Sequence, residues 1–385
     1  MADIHLPKSQ RTIRLVFRLR DFAVRVTGHL WLGFVHVGAR RRRTSEVASM
    51  LAIDSGEASW RFIDYQELLL SAVEFLGEGK VVQVVIKDRD HYFREVRSQT
   101  KDIELSHYFF DPRSLSYGCV RSWVQVVVLS TYLAWRGITP IARLTDVHHR
   151  RWRAQTTFIS SLSGVIIILM SPQRARELMV NGRLVGPLPM PVSKQTFDKL
   201  TLELREEVVN PGSVLFIGAL YEPRLTFLER VAELLLEDGI VMRQIVREAG
   251  GPRISNMEYW RSLAAAEVVF STSEMSYGPG QDTVDEAHLI YRFMEAAVVG
   301  RPLVTRAVFG AENLFVPGVH FEAYTDPRSA ANHIVALHNN HLQRELIGKS
   351  ARERADQLIE KNFFWTEVNN ALLAERRPLL GSDRS

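Results

Sequence analysis

The run Ala287-His-Leu-Ile-Tyr-Arg-Phe-Met-Glu-Ala-Ala-Val-Val-Gly-Arg-Pro-Leu-Val304 decides how this chain is read. Leu289, Phe293, Ala296 and Ala297 recur at the spacing of one helix face, Gly300 supplies a stop, and Arg301-Pro302 turns the chain into a short apolar strand from Leu303 to Thr305. A helix, a tight turn and a buried strand form one repeat of an α/β layer. Arg292 and Glu295 are three residues apart and share one side of the predicted helix. A charge of each sign there suits a phosphate and a sugar hydroxyl, or an ion pair internal to the fold.

The same unit recurs on either side of this run. Strands over Ser213–Gly218, Val241–Val246 and residues 268–271 alternate with helices over 225–236 and 257–266. Beyond the run follow a short strand near 320–324 and helices over 329–338, 342–361 and 364–373. Toward the amino terminus, Gly186-Pro-Leu-Pro-Met-Pro191 breaks the pattern, because three prolines in such a short stretch exclude helix and central strand alike. Before it lies a second alternating series. Strands are predicted over 30–37, 60–63, Val81–Ile86, 140–144 and 164–170, with helices from about 45 through Met50 and over 66–76, 120–135 and 173–179, and an irregular stretch over 89–117. Alternating strands and helices imply parallel pairing with right-handed crossovers. Residues 12–26 alternate apolar and basic, which fits one or two strands or a basic amphipathic helix.

A chain of 385 residues is long for one core and suggests two domains at about 150 residues each. A net charge of +4 is too small to argue for nucleic acid. The arginines of the first half, among them Arg40 to Arg43 and Arg150, Arg151 and Arg153, fit an anionic acceptor, an anionic membrane surface or a plain solvated face. One cysteine, Cys119, excludes an internal disulfide and suits a reducing compartment. No apolar run reaches the roughly 18 residues of a membrane span, so a cytoplasmic protein, soluble or peripheral to a membrane, is expected.

Arg292-Phe-Met-Glu-Ala-Ala-Val-Val-Gly-Arg-Pro-Leu-Val304 resembles a segment of group 1 glycosyltransferases and their spore-maturation-like relatives. The resemblance implies an α/β protein of the GT-B fold, two Rossmann-like domains with parallel sheets facing across a cleft. Residues 1–190 would bind the acceptor, 191–364 the nucleotide sugar, and 365–385 would return to the first domain. It also implies that Glu295 meets the ribose. Val214-Leu-Phe-Ile-Gly-Ala-Leu-Tyr-Glu-Pro-Arg224 is similar to the family's first donor-domain strand, where Gly218 admits the backbone and Arg224 meets the diphosphate. Arg247 falls in the loop that contacts the base, and Gly278 and Gly280 would offer N–H groups to the diphosphate. G-x-G-x-x-G is missing, which disfavours a nicotinamide cofactor.

Thr145-Asp-Val-His-His149 stands where the family often places a histidine and an aspartate facing the donor across the cleft. Asp146, His148 or His149 would act as general base, or orient the sugar; alternatively Asp146 caps the next helix and the histidines are solvated. His107 and Asp111 are lesser candidates. Many group 1 enzymes carry a second glutamate where this chain has Ala287, with Asp285 and Glu286 just before it. No Asp-x-Asp accompanies the paired histidines, so no metal is expected, and no cofactor beyond a nucleotide-sugar substrate. The resemblance thus implies a glycosyltransferase of polysaccharide biosynthesis, retaining by preference, acting on a saccharide or lipid-linked saccharide. A sugar-nucleotide epimerase and a catalytically silent binding protein are the alternatives. Glu295→Ala is expected to abolish nucleotide binding with the fold intact.

Overall fold

A computed structural model describes residues 50–56, 63–111, 119–144, 165–168, 171–177, 183–205, 207, 209–218, 220, 222, 224–246, 255–272, 274–275, 284–375 and 379–381. The first sheet is built from β1 (Leu51–Gly56), β2 (Val81–Ile86), β3 (His107–Phe110), β4 (Thr139–Leu144), β5 (Val165–Ile168) and β6 (Arg183–Val185). All six are parallel, in the spatial order β2-β1-β3-β4-β5-β6. Its helices are α1 (Ile63–Leu76), α2 (Tyr92–Thr100), α3 (Cys119–Trp135) and the short α4 (Pro172–Glu177).

The second half opens with α5 (Lys194–Glu203), then β7 (Ser213–Gly218), α6 (Arg224–Glu237), β8 (Val241–Val246), α7 (Asn256–Ala264) and β9 (Val268–Phe270). A small hairpin of β10 (Glu274–Met275) and β11 (Val284–Ala287) precedes α8 (Arg292–Val298), β12 (Leu303–Thr305) and β13 (Glu322–Ala323). The parallel sheet runs β13-β12-β9-β7-β8. Helices α9 (Pro327–Asn339), α10 (His341–Glu360) and α11 (Phe363–Ala374) complete the described chain. Their boundaries have local causes. The Asp326 side chain accepts from the Ser329 N–H in a reciprocal capping box with proline in the first turn of α9. Ser255 caps α7 by a single bond, its hydroxyl oxygen accepting from the Glu258 N–H.

β2, β5, β7 and β9 are rich in Val, Ile and Leu because both faces of each parallel sheet are covered by helices. Helix α11 follows α10 in the chain but leaves the second sheet. Phe364, Trp365, Val368 and Leu372 pack in one core with Leu51, Ile53, Phe109 and Ile141 of the first sheet, and the Trp365 indole donates to Ser71 Oγ at 3.0 Å.

Several expected elements are corrected. Of the strand expected over 60–63 only Ile63 is described, and it begins α1; a strand that was not expected lies at Leu51–Gly56. The stretch expected to be irregular holds α2 and β3: Tyr92, Val96 and Thr100 are buried at helical spacing beneath intervening charges, and all of His107–Phe110 is buried. In the deciding run, the helix starts at Arg292, with Ala287 at the end of β11. Leu289 is fully buried in the connection, so its apolar spacing to Phe293 reflects burial rather than helix. Gly300, at φ 67°, ends the helix as expected. The expected features at residues 1–49 lie outside the described residues.

Candidate functional site

In each sheet one strand has neighbours that leave it in opposite chain directions, and the crevice beyond the carboxyl ends of such strands is where open α/β sheets bind ligands. In the second sheet that strand is β7, flanked by β8 and β9. Four expected residues converge on its end. Gly218 closes the strand, and a Cβ there would meet Arg224 Nη1 at 3.8 Å and the Phe216 ring at 3.0 Å. The Arg292 guanidinium reaches the same place and donates to the Ile217 carbonyl at 2.8 Å. Glu295 joins Arg292 in an ion pair of 2.8 Å, buried on both sides.

The pair has a third member that the sequence analysis missed. Tyr259, on α7, donates its O–H to Glu295 Oε1 at 2.6 Å and accepts from Arg292 Nη1, while the guanidinium lies 5.6 Å over its ring. Arg292, Glu295 and Tyr259 thus form a closed triangle. Burial raises the Glu295 carboxyl, against the pull of Arg292 and of the Tyr259 hydroxyl. Burial also holds the Tyr259 phenol well above its ordinary range, so it remains a donor. The signal for Tyr259 was Asn256-Met-Glu-Tyr-Trp260: with Trp260 buried in the core, its neighbour points another way, toward the strand ends.

At the corresponding point of the first sheet, where β1 lies between β2 and β3, a buried polar cluster fills the strand ends. Asp54 Oδ1 accepts from the Asp111 N–H at 2.8 Å and Asp54 Oδ2 from the Tyr92 hydroxyl at 2.5 Å. Arg143 holds Asp64 at 3.1 Å and lies 3.9 Å from Asp111, which also accepts from Tyr65. Asp54, Asp111 and Arg143 are all buried. Asp111 is therefore in the strand-end cluster, whereas His107 lies inside β3, bonded to Ser106 Oγ at 2.7 Å. Asp54, Asp64 and Arg143 were missed because polar residues within apolar runs carry no spacing signature. Asp146, His148, His149, Arg247, Gly278 and Gly280 lie outside the described residues.

Helix α1 joins the two halves. Ile63 packs against the second core, Gln66 pairs with Asn256, and Glu67 accepts from the Ser193 N–H, the Ser193 hydroxyl and the Thr196 hydroxyl at 2.8, 2.8 and 2.7 Å. Two turns further on, Glu74 takes the Lys194 and Gln195 N–H groups, both at 2.8 Å. Glu67 and Glu74 thereby satisfy the exposed donors at the start of α5.

Residues 227–359, which span α6 through α10 and include the triangle, match the model of a glycosyl transferase-like family. The fold is GT-B. It is shared with the HepE protein of Anabaena, in complex with UDP-glucose, over 84% of this chain and 99% of that one, at 12% identity and a TM-score of 0.50. A sucrose-phosphate synthase from Thermosynechococcus elongatus covers 85% of this chain and 99% of its own at 11% identity, with a TM-score of 0.52. No curated protein matches the sequence. Ala287, where many group 1 glycosyltransferases have their first glutamate, is buried at the end of β11, just before the connection to α8. Among the described residues, no helix is long and apolar enough to cross a membrane.

Proposed function

We propose that this chain transfers a sugar from a nucleotide-sugar donor to a saccharide or lipid-linked saccharide acceptor, retaining the anomeric configuration and using no metal. The donor occupies the carboxyl edge of the second sheet, and the first sheet presents the acceptor. One observation carries the reading: the buried Arg292–Glu295–Tyr259 triangle is anchored on the end of β7, inside the segment that matches a glycosyl transferase-like family. The chemistry follows from charge. The leaving nucleoside diphosphate is an anion, and Arg224 and Arg292 bring positive charge to the end of the strand that would receive it. Glu295 Oε1 accepts from Tyr259, Oε2 lies 2.8 Å from Arg292 Nη1 in an ion pair, and each oxygen keeps a lone pair for a ribose hydroxyl. Arg247, Gly278 and Gly280 would complete the donor contacts, and Asp146, His148 and His149 the acceptor side. The protein would act in the cytoplasm, with its basic first half against an anionic membrane surface.

A second reading, a nucleotide-binding protein without transfer activity, is favoured by Ala287 and by a triangle that is closed on itself. Thermal-shift titration with UDP, GDP, CMP and dTDP tests both, UDP first because HepE was solved with UDP-glucose. A nucleotide at a hundred times its dissociation constant stabilises by about 2.7 kcal/mol. Glu295→Ala is unsuitable, since it strands a buried Arg292 at about 3–5 kcal/mol. Glu295→Gln keeps the shape, and nucleotide affinity is expected to fall about tenfold or more with the loss of a charged acceptor. Unchanged affinity in the folded variant overturns the assignment of the site. Nucleotide binding without sugar release from UDP-glucose or GDP-glucose, with saccharide acceptors present, favours the silent protein.

A further inference from the structure

Tyr291 immediately precedes the triangle and is not part of it. Its ring packs against both the second core and the first, so it lies on the seam between the halves. Among the described residues its hydroxyl is buried and has no hydrogen-bond partner. A buried O–H without an acceptor is costly, and a native structure tolerates one where another state satisfies it. Burial, and then the negative charges of Glu67, Glu295 and Asp64, hold the phenol well above its ordinary range, so it stays protonated and able to donate.

Those three carboxylates are told apart by the bonds they already make, and the Glu67 junction is flanked by the two cores that Tyr291 touches, through Leu68 in one and Val192 and Phe197 in the other. Asp64 Oδ2 already takes both ends of the Arg143 guanidinium. Glu295 is held inside the triangle, Oε1 by the Tyr259 hydroxyl and Oε2 by the Arg292 charge at 2.8 Å. Glu67 Oε2 takes two bonds, but Oε1 takes only the Thr196 hydroxyl and retains a lone pair. Glu67 belongs to α1 of the first half, whereas Tyr291 leads directly into Arg292 and Glu295.

We propose that Tyr291 is a positioning residue that couples occupancy of the triangle to the first half: a nucleotide bound beside Arg292 and Glu295 shifts the start of α8, and the Tyr291 hydroxyl then donates to Glu67. The inference rests on the reading of the β7 edge as the nucleotide site. The bond exists only in the occupied state, so removing the hydroxyl weakens binding without weakening the free protein.

Tyr291→Phe, alone and combined with Glu67→Gln, separates these effects. UDP, GDP, CMP and dTDP are titrated in turn against each protein, and the free proteins are melted alongside. In the variant the free melting temperature is expected to stay level or rise, while affinity for the nucleotide that binds wild type falls about tenfold or more, the worth of one hydrogen bond to a charged group. In the Glu67→Gln background the same substitution is expected to leave affinity unchanged. Three results overturn the coupling while leaving the nucleotide site intact: equal affinity of Tyr291→Phe and wild type, a fall of about 2 °C or more in the free melting temperature, or a full tenfold loss that persists with Glu67→Gln. A wild-type protein that binds none of the four nucleotides overturns the site and the coupling together.

Discussion

Arg143 shows how a single side chain sets what the first sheet can hold. It is buried, pairs with Asp64 and lies 3.9 Å from Asp111, while Asp54 ties Asp111 to Tyr92. In a buried network the price of a pair appears when one member is removed, because the other charge remains out of water. Arg143→Ala should therefore destabilise the protein by about 3–5 kcal/mol, read as a lower urea midpoint at unchanged slope. An effect under about 1 kcal/mol would show that water replaces the guanidinium. None of these contacts follows from spacing. Asp54 and Asp111 are 57 positions apart in the chain and meet only because β1 and β3 are neighbours. Arg292 and Glu295 were legible because three residues in one helix place side chains together whatever the rest of the chain does. Their partner Tyr259 was not, since it comes from another helix.

Elements are joined by close backbone approaches and by carboxylates at helix starts. Gly348 on α10 crosses the turn at Gly300, and an added Cβ would collide with the Gly300 carbonyl. Backbone cannot swing aside as a flexible side chain does, so Gly348→Ala should cost about 1–3 kcal/mol and lower the melting temperature, even though alanine favours helices. A stabilised variant would mean that the two elements separate without loss. At the junction of α1 and α5, burial raises the Glu67 carboxyl above its ordinary 4.5, against its hydrogen bonds to Ser193 and Thr196. The folded chain then binds this proton more tightly than the unfolded chain. Its contribution to stability is full below that ordinary value and is lost as pH rises through the folded value. Urea unfolding of wild type and Glu67→Gln from about pH 4 to about pH 8 should show wild type losing stability relative to the variant as pH rises. Parallel curves would remove the effect. The strands Val81–Ile86, Ser213–Gly218 and Val241–Val246 match their sequence-based bounds, because an apolar β-branched run between turn residues has few other structures open to it. α2 was missed because Arg94, Glu95 and Arg97 hide its buried residues, and β1 and β3 because their apolar runs are only three residues long.

At the scale of the molecule, the last helix ties the two halves together. Trp365 is fully buried among first-sheet residues, yet it follows α10 of the second half directly in the chain. Trp365→Ala should cost about 3–5 kcal/mol and should separate the halves, so that unfolding followed by fluorescence and by circular dichroism no longer coincides. Coincident transitions in the variant would show that the α1–α5 junction alone holds the halves together. Sequence by itself determined the alternation of strands and helices, the turn at Gly300 and the Arg292–Glu295 pair, because each depends on residues within a few positions of one another. Tertiary structure alone decided that Tyr259 closes the triangle, that Asp54, Asp111 and Arg143 share one buried cluster, and that Tyr291 lies between two cores. Strand order brings those residues together, and strand order is fixed by burying whole faces, a sum over distant contacts that no local pattern records.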